Sequence, residues 1–182
     1  MTWRNLVDRS DGHIARLADG FRQRVASWYQ ELTLKKIPVL IYCSVREPWE
    51  QDALYAIGRT EKGNKVTNAR GTPVPQSFHC YGRAIDAVPC ASTAAGQYTP
   101  CWDDETTYQI MRNAADKHKL RYLTFETPHF EDGNFKDWRE LAASESIGTR
   151  VAEKNRQAMQ AKNIRVSKSP TKRVRKVSLR KP

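Results

Sequence analysis

Basic residues crowd the C-terminal end of this 182-residue chain, and their distribution limits how much of it can fold into a domain. Residues 154–182 contain 11 lysines and arginines and no acidic residue. The preceding residues are formally neutral, although the whole chain carries a net charge of +11. A segment with such one-sided charge is poorly suited to burying a core. We therefore predict a folded domain over residues 1–150 and a basic C-terminal helix or tail over 151–182, partly disordered.

The basic tail also narrows the class of partners. A polycation of this kind is attracted to nucleic acid, anionic lipid, lipopolysaccharide or teichoic acid. The body is neutral and has no recognisable nucleic-acid module, so we expect no nucleic acid as a partner. A nucleic-acid-binding protein with a basic arm stays open as the alternative of another class. We expect no transmembrane segment, because no apolar run approaches the roughly 20 residues that span a bilayer. We also expect a monomer.

Hydrophobic periodicity predicts several helices and only a few short strands. Apolar residues spaced by three and four predict an amphipathic helix over 14–32, and a β-branched and aromatic run predicts a buried strand over 37–44. The remaining predictions are helices over 47–57, 103–119 and 138–159, strands over 84–88 and 121–125, and loops over 59–76 and 89–102. Because helices and strands do not alternate strictly, the predicted class is α+β, a small antiparallel sheet with flanking helices.

The residues with the most distinctive chemistry are His79, Asp86 and His129. Two histidines and a carboxylate make a good zinc site with one position left for water. Seven extended residues span roughly 23 Å, so His79 and Asp86 share a metal only if the chain folds back, and Gly82 allows that turn. Asp86 then falls in the apolar strand 84–88, where a carboxylate is costly to bury without a metal or a cation. The spacing alone is not specific to metal sites.

Glu126 lies three residues before His129, and Pro128 stands between them. In a regular strand the two side chains would point to opposite faces. Pro128 excludes regular pairing and favours an extended Thr127, so a bend there could direct both side chains into one cleft. A carboxylate beside the metal but not bound to it is what a metallopeptidase needs as its general base.

Residues 77–86 read Ser-Phe-His-Cys-Tyr-Gly-Arg-Ala-Ile-Asp and fit the pattern S-x-H-x-x-G-x-A-x-D. Glu126 and His129 fit a following E-x-x-H. These patterns resemble the VanY/VanX-type zinc peptidases, a family of LAS-type peptidoglycan peptidases. The family includes D-Ala-D-Ala carboxypeptidases and phage L-alanyl-D-glutamate endopeptidases.

The resemblance extends upstream of these motifs. Residues 44–60 are similar to the family block S-x-R-x-x-x-x-Q-x-x-L-Y-x-x-G-R-T, and residues 65–69 to the stretch before the histidine motif in the endolysin branch. The similarity covers about residues 10–140. It implies a LAS/hedgehog-type zinc peptidase domain, with Thr127-Pro128 departing from the aromatic residues that many members carry before the last histidine. That departure leaves the identity of the cleaved bond open.

Carried over residue by residue, the resemblance implies one Zn²⁺ on His79, Asp86 and His129. Glu126 would be the general base and then the acid.

The resemblance also assigns roles to three residues outside the metal set. Arg46 would polarise the scissile carbonyl and stabilise the oxyanion. Ser77 and Gln51 match the serine and glutamine of the two motifs and are predicted to bind substrate.

The function that the resemblance implies is hydrolysis of peptidoglycan stem peptides, by an L-alanyl-D-glutamate endopeptidase acting as a phage endolysin. The alternative within the family is a D-Ala-D-Ala carboxypeptidase. Because the first 20 residues lack an apolar signal region, we expect the protein to stay in the host cytoplasm until it is released to the cell wall or periplasm. The expected partners are peptidoglycan and, through the basic tail, the anionic cell envelope.

Overall fold

Helices precede and flank a sheet of short strands in the computed structural model, which describes residues 1–123 and 126–146. The elements in chain order are α1 (Trp3–Ala15), α2 (Phe21–Leu34), β1 (Val39–Cys43), α3 (Pro48–Ala56), a 3₁₀ turn (Phe78–Tyr81), β2 (Ala84–Ser92), β3 (Tyr98–Pro100), α4 (Glu105–Lys117), β4 (Leu120–Leu123) and β5 (Glu126–Asp132). Residues 138–146 are also helical. No helix within these residues has both the length and the apolar character needed to cross a membrane.

The main sheet runs in the order β1-β2-β5-β4, and each neighbouring pair is antiparallel. The short β3 extends it by pairing with the far end of β2. The prediction of an α+β fold with a small antiparallel sheet and flanking helices is confirmed. Residues 1–142 form one compact unit. The predicted boundary near residue 150 lies outside the described residues and stays a prediction.

The core lies between the sheet and the helices α1, α2 and α4. Trp28 of α2 is fully buried, its ring lies 5.2 Å from that of Phe130 on β5, and its indole N–H donates to the carbonyl of Met111 on α4 at 3.0 Å. One side chain therefore joins two helices and the central sheet. Burying a side chain of this size contributes roughly 1.5–3 kcal/mol, so this region anchors the strands that carry the candidate site.

The predicted helix over 14–32 was wrong in its extent, because two helices share that apolar pattern. Gly20 has φ 77°, which interrupts the helical conformation between α1 and α2. The Ala18 N–H donates to the carbonyl of Gly82 rather than to a carbonyl one helical turn earlier. Leu17 is buried in the break, so it continued the apolar spacing without belonging to either helix. The first turns of α1 were missed because only Leu6, Ser10 and Ile14 of that helix are buried.

The predicted strand over 84–88 was too short, and part of the predicted loop over 89–102 is strand. Pro89 is paired with Val39, and β2 continues to Ser92 before turning back into β3. The loop over 59–76 is confirmed, since no regular element lies between α3 and the 3₁₀ turn. The predictions for β1, α3 and α4 are confirmed to within a few residues.

Candidate metal centre

A row of cross-strand partners crosses the middle of the sheet at Asp86. Its Cα is paired with His129 of β5 on one side and with Cys43 of β1 on the other. Directly paired residues place their side chains on the same face. His79 reaches this row from the 3₁₀ turn, which ends at Gly82 in the left-handed conformation with φ 63°. The expected fold-back between His79 and Asp86 is therefore present.

Two of the predicted metal ligands, His79 and His129, each place a ring nitrogen close to the same oxygen of the third, Asp86. Asp86 Oδ1 lies 3.3 Å from His79 Nε2 and 3.1 Å from His129 Nδ1. Ligand atoms bound tetrahedrally to one zinc at about 2.0–2.1 Å are themselves about 3.3 Å apart. The three side chains are 3%, 13% and 9% exposed for His79, Asp86 and His129. The donor set, the two separations from Asp86 and the shallow burial fit a metal ion.

Each histidine is held by a second contact on its other nitrogen. His79 Nδ1–H donates to the carbonyl of Ser44 at 2.5 Å, which leaves Nε2 to face Asp86. Both nitrogens of His129 face carboxylates, Nδ1 that of Asp86 at 3.1 Å and Nε2 that of Glu131 at 3.4 Å. A metal that displaces the Nδ1 proton would leave the Nε2–H donating to Glu131. Metal-binding histidines are oriented by such contacts, which fix the tautomer and raise ligand basicity.

The electrostatics of the cluster favour a cation at its centre. Burial by itself lowers the pKa of His79 and of His129, but hydrogen bonds to Asp86 outweigh burial and raise both pKa values. Burial by itself raises the pKa of Asp86, but the hydrogen bonds to the two imidazoles outweigh it and lower the pKa. Asp86 thus stabilises positive charge on the two imidazoles. A divalent cation bound between the same groups would balance the charge of Asp86 as those protons do.

Arg46 is placed beside this cluster by a glutamine. Its Nη1 donates to Gln51 Oε1 at 2.7 Å, and its Nη2 lies 3.9 Å from Asp86 Oδ2. Gln51 is 1% exposed, and its amide N–H donates to the carbonyl of Ala69 at 2.9 Å. Gln51, predicted to bind substrate, therefore lies behind Arg46, where it can act on substrate through the guanidinium.

A cavity of about 240 Å³ opens over the cluster. Ser77, the other predicted substrate-binding residue, lines it together with Arg46, both histidines and Asp86. The loop after α3 forms part of its wall through Val66 and Thr67. The cavity thus brings Ser77, Arg46 and the three predicted ligands into one open space.

The role predicted for Glu126 stays a prediction. Its backbone begins β5 and is paired with Leu123, and its side chain lies outside the described part of the chain. The register between β4 and β5 shifts at this point, since Tyr122 is paired with Phe130. The irregularity expected around Pro128 is therefore present in the backbone.

Three residues of the site were missed by sequence reasoning. Glu131 could have been found, because it lies two residues after His129 and so shares its face of the strand. Cys43 and Ser44 could not, because only the pairing of β1 with β2 brings them to the cluster. Ser44 Oγ in turn lies 3.1 Å from Nδ1 of His13 on α1, a histidine without an assigned role.

Cys43 offers an alternative third ligand. Ligand atoms of Cys43, His79 and Asp86 lie within 4.8 Å of one another. The thiol sulfur approaches the Nδ1 side of His79, at 4.0 Å, and that nitrogen already contacts the carbonyl of Ser44. We favour His129 over Cys43 as the third ligand, because its Nδ1 lies 3.1 Å from Asp86 Oδ1, whereas the thiol approaches the nitrogen of His79 that the Ser44 carbonyl already occupies.

Two imidazoles, one carboxylate and an adjacent guanidinium in an open cavity define a candidate mononuclear metal centre of the kind that hydrolytic enzymes use. No family model matches the chain. Over 52 residues the chain is 54% identical to the peptidoglycan L-alanyl-D-glutamate endopeptidase CwlK of Bacillus subtilis (strain 168). That match spans 29% of this chain and 29% of the relative, so under a third of either protein is compared.

The chain is also similar to a solved structure. The L-Ala D-Glu endopeptidase ChiX of Serratia marcescens superposes with a TM-score of 0.41 at 19% sequence identity. The superposition covers 68% of this chain and 85% of that chain.

Proposed function

We propose that the protein is a zinc-dependent peptidase that hydrolyses the L-alanyl-D-glutamate bond of bacterial peptidoglycan stem peptides. The observation that carries the proposal is the approach of His79 Nε2 and His129 Nδ1 to the same oxygen of Asp86, at 3.3 and 3.1 Å. The choice of bond rests on the 54% identity to a peptidase of that specificity, which covers only 52 residues.

Zinc suits this donor set better than a harder cation. Two imidazole nitrogens with a single carboxylate favour Zn²⁺, whereas Mg²⁺ and Ca²⁺ prefer oxygen ligands. His79 Nε2, His129 Nδ1 and Asp86 Oδ1 would hold the ion. Bound there, zinc supplies a Lewis acid and a water molecule of lowered pKa.

The residues around the ion supply the rest of the chemistry. Arg46 places a fixed positive charge beside the cavity, where negative charge develops on the scissile carbonyl oxygen. Such preorganised stabilisation is often worth about 3 kcal/mol. Glu126 would accept the proton of the attacking water and pass it to the leaving amine. Ser77 would contact the peptide as it lies in the cavity.

We further propose that the protein acts at the cell wall as a phage endolysin, with its basic C-terminal residues attracted to the anionic envelope. The charge supports this, since residues 154–182 hold 11 basic residues and no acid. Electrostatic capture of this kind weakens as salt screens it. Binding of the full-length chain to isolated envelopes should therefore fall steeply with added salt, and a chain ending near residue 165 should bind more weakly at low salt.

Digestion of purified peptidoglycan, followed by mass spectrometry of the fragments, tests the proposed activity. We expect new N-terminal D-glutamate on the released peptides and loss of activity with a chelator, restored by zinc. Release of free D-alanine instead would identify a D,D-carboxypeptidase. Undiminished activity after complete removal of metal would contradict the zinc-dependent mechanism.

A further inference from the structure

A second recess, of about 420 Å³, adjoins the candidate metal centre. It lies between the end of β1 and helix α3, and Arg46 and Leu54 line both it and the cavity over the metal ligands. The recess therefore neighbours the site proposed to hold the scissile bond, with Arg46 and Leu54 between the two. The part of the substrate on one side of that bond can lie in this recess.

Aromatic side chains flank this recess. Trp49 of α3 lines it with 68% of its surface exposed. Tyr42 of β1 lines the recess as well, and Trp102, 55% exposed, meets the Tyr42 ring edge-on at 5.4 Å. Exposed tryptophans are costly to leave in water, and flat aromatic faces with a polar rim suit a ligand that has one apolar face.

Charged groups complete the lining of the recess. Arg16, directly after α1, donates to the carbonyl of Val45 at 3.4 Å, and Glu50 of α3 also lines the recess, where its carboxylate accepts from the Glu47 N–H at 2.7 Å. A cation and an anion beside aromatic side chains can contact hydroxyl, acetamido and carbonyl groups of a neutral polar ligand.

The chemistry of the proposed substrate identifies the ligand. In peptidoglycan, the L-alanine of the stem peptide is joined through a lactyl group to N-acetylmuramic acid. The sugar thus begins one amino-acid residue from the L-alanyl-D-glutamate bond, and one extended residue spans only about 3.3–3.6 Å. An enzyme that holds this bond at His79, Asp86 and His129 must accommodate a sugar ring directly beside its metal centre.

We propose that this recess is a glycan subsite that binds the N-acetylmuramoyl residue, with Trp49 as the stacking platform. The inference rests on the proposed endopeptidase function, and it adds that the enzyme selects a stem peptide still attached to its glycan. A pyranose ring has an apolar C–H face that packs on an indole, and a polar edge that Arg16 and Glu50 contact.

Binding of a sugar without peptide tests the subsite independently of catalysis. The probe is the disaccharide N-acetylglucosaminyl-N-acetylmuramic acid, observed by saturation-transfer NMR with the full-length protein. We expect transfer to the muramoyl ring protons, loss of that transfer in Trp49→Ala, and partial recovery in Trp49→Phe. Leu34→Ala is the matched control, since Leu34 is 76% exposed on α2 and lies outside the recess. Absence of transfer in the unsubstituted protein, or equal transfer in Trp49→Ala, would overturn the proposal.

Kinetics separate failure of the subsite from failure of the proposed function. The substrates are a muramoyl peptide and the same peptide without sugar. We expect kcat/KM to favour the muramoyl peptide by about tenfold, which corresponds to about 1.4 kcal/mol, and this ratio to approach one in Trp49→Ala. A ratio near one in the unsubstituted enzyme would contradict the glycan subsite while leaving the peptidase function intact. Cleavage of neither substrate would contradict the function, and the NMR result would then stand alone.

Discussion

Two buried carboxylates of the central sheet, Asp86 and Asp132, are surrounded by different kinds of positive charge. Asp132 is fully buried, and the guanidinium groups of Arg24 and Arg83 lie 2.5 and 3.1 Å from its two oxygens. Asp86 has the nearest guanidinium, that of Arg46, 3.9 Å away, and its close neighbours are two imidazoles. The chain itself neutralises Asp132, whereas the charge of Asp86 is balanced by groups that can give up their protons.

The two sets of partners indicate that Asp132 has a structural role and Asp86 a functional one. A buried carboxylate with two fixed guanidinium partners joins elements of the fold, here α2, the segment before β2, and the end of β5. Removing one member of such a group leaves buried charges without a partner, which costs several kcal/mol. A carboxylate paired instead with imidazoles leaves a position for a metal ion once the imidazoles release their protons. The two environments therefore predict opposite consequences of substitution.

The largest expected effect is on metal binding at Asp86. In Asp86→Asn the central negative charge is lost, so zinc content measured by atomic emission should fall to background. Activity on peptidoglycan should then fall by at least about a thousandfold, because the metal supplies several kcal/mol of transition-state stabilisation. The free energy of unfolding of the metal-free protein should fall less than in Asp132→Asn, because the two imidazoles can release their protons when the charge of Asp86 is lost. Retention of stoichiometric zinc by this variant would refute the ligand assignment.

Asp132→Asn should affect stability and leave zinc in place. It leaves Arg24 and Arg83 facing a neutral amide, so we expect a loss of about 3–5 kcal/mol in the free energy of unfolding. Urea denaturation followed by circular dichroism measures this loss, with Asp137→Asn as the control because Asp137 is a surface residue at 41% side-chain exposure. If Asp132→Asn and Asp137→Asn unfolded at the same urea concentration, the structural role assigned to Asp132 would be wrong.

A third carboxylate, Glu126, sharpens the contrast between metal binding and catalysis. Glu126→Gln should keep the zinc and the fold but lose at least about a hundredfold in peptidoglycan hydrolysis, because a general base contributes factors of roughly 10² to 10⁴. Zinc analysis and kcat on a muramoyl peptide test the two halves of the prediction in one variant. Near-normal turnover with bound zinc would place the base elsewhere.

The smallest expected effect is at Glu131, which lies between the two environments. Its carboxylate faces His129 Nε2 at 3.4 Å and is also paired with Arg121 at 2.6 Å. Glu131→Gln keeps an acceptor but weakens the pull on the imidazole proton, so zinc affinity should fall by about 10–100-fold. Competition with a chelator measures the affinity. The same substitution at Glu140, exposed on the helix over residues 138–146, should leave the affinity unchanged.

Part of the fold and of the site followed from the sequence because it depends on near neighbours. The helix α4 and the strand β1 were predicted from local periodicity. The fold-back from His79 to Asp86 was predicted from seven residues and one glycine. The position of Asp86 in an apolar strand was likewise visible, and so was the presence of a charge that needs a partner.

The sequence did not predict the features that depend on contacts between distant segments. The break between α1 and α2 could not be seen because Leu17, buried in the connection, continues the helical spacing. The continuation of β2 past Pro89 depends on its partner Val39, fifty residues earlier. Local patterns extend over a few residues, so they cannot report contacts of this range.

The sequence by itself determined the chemical inventory of the site: two histidines, an aspartate and an arginine in motifs that resemble a peptidase family. Only the tertiary structure decided their arrangement. The register across β1, β2 and β5 places Cys43, Asp86 and His129 in one row, and it places the carbonyl of Ser44 against His79. The physical reason is that strand register is set by many weak contacts along whole strands, so it emerges only when all of them pack together.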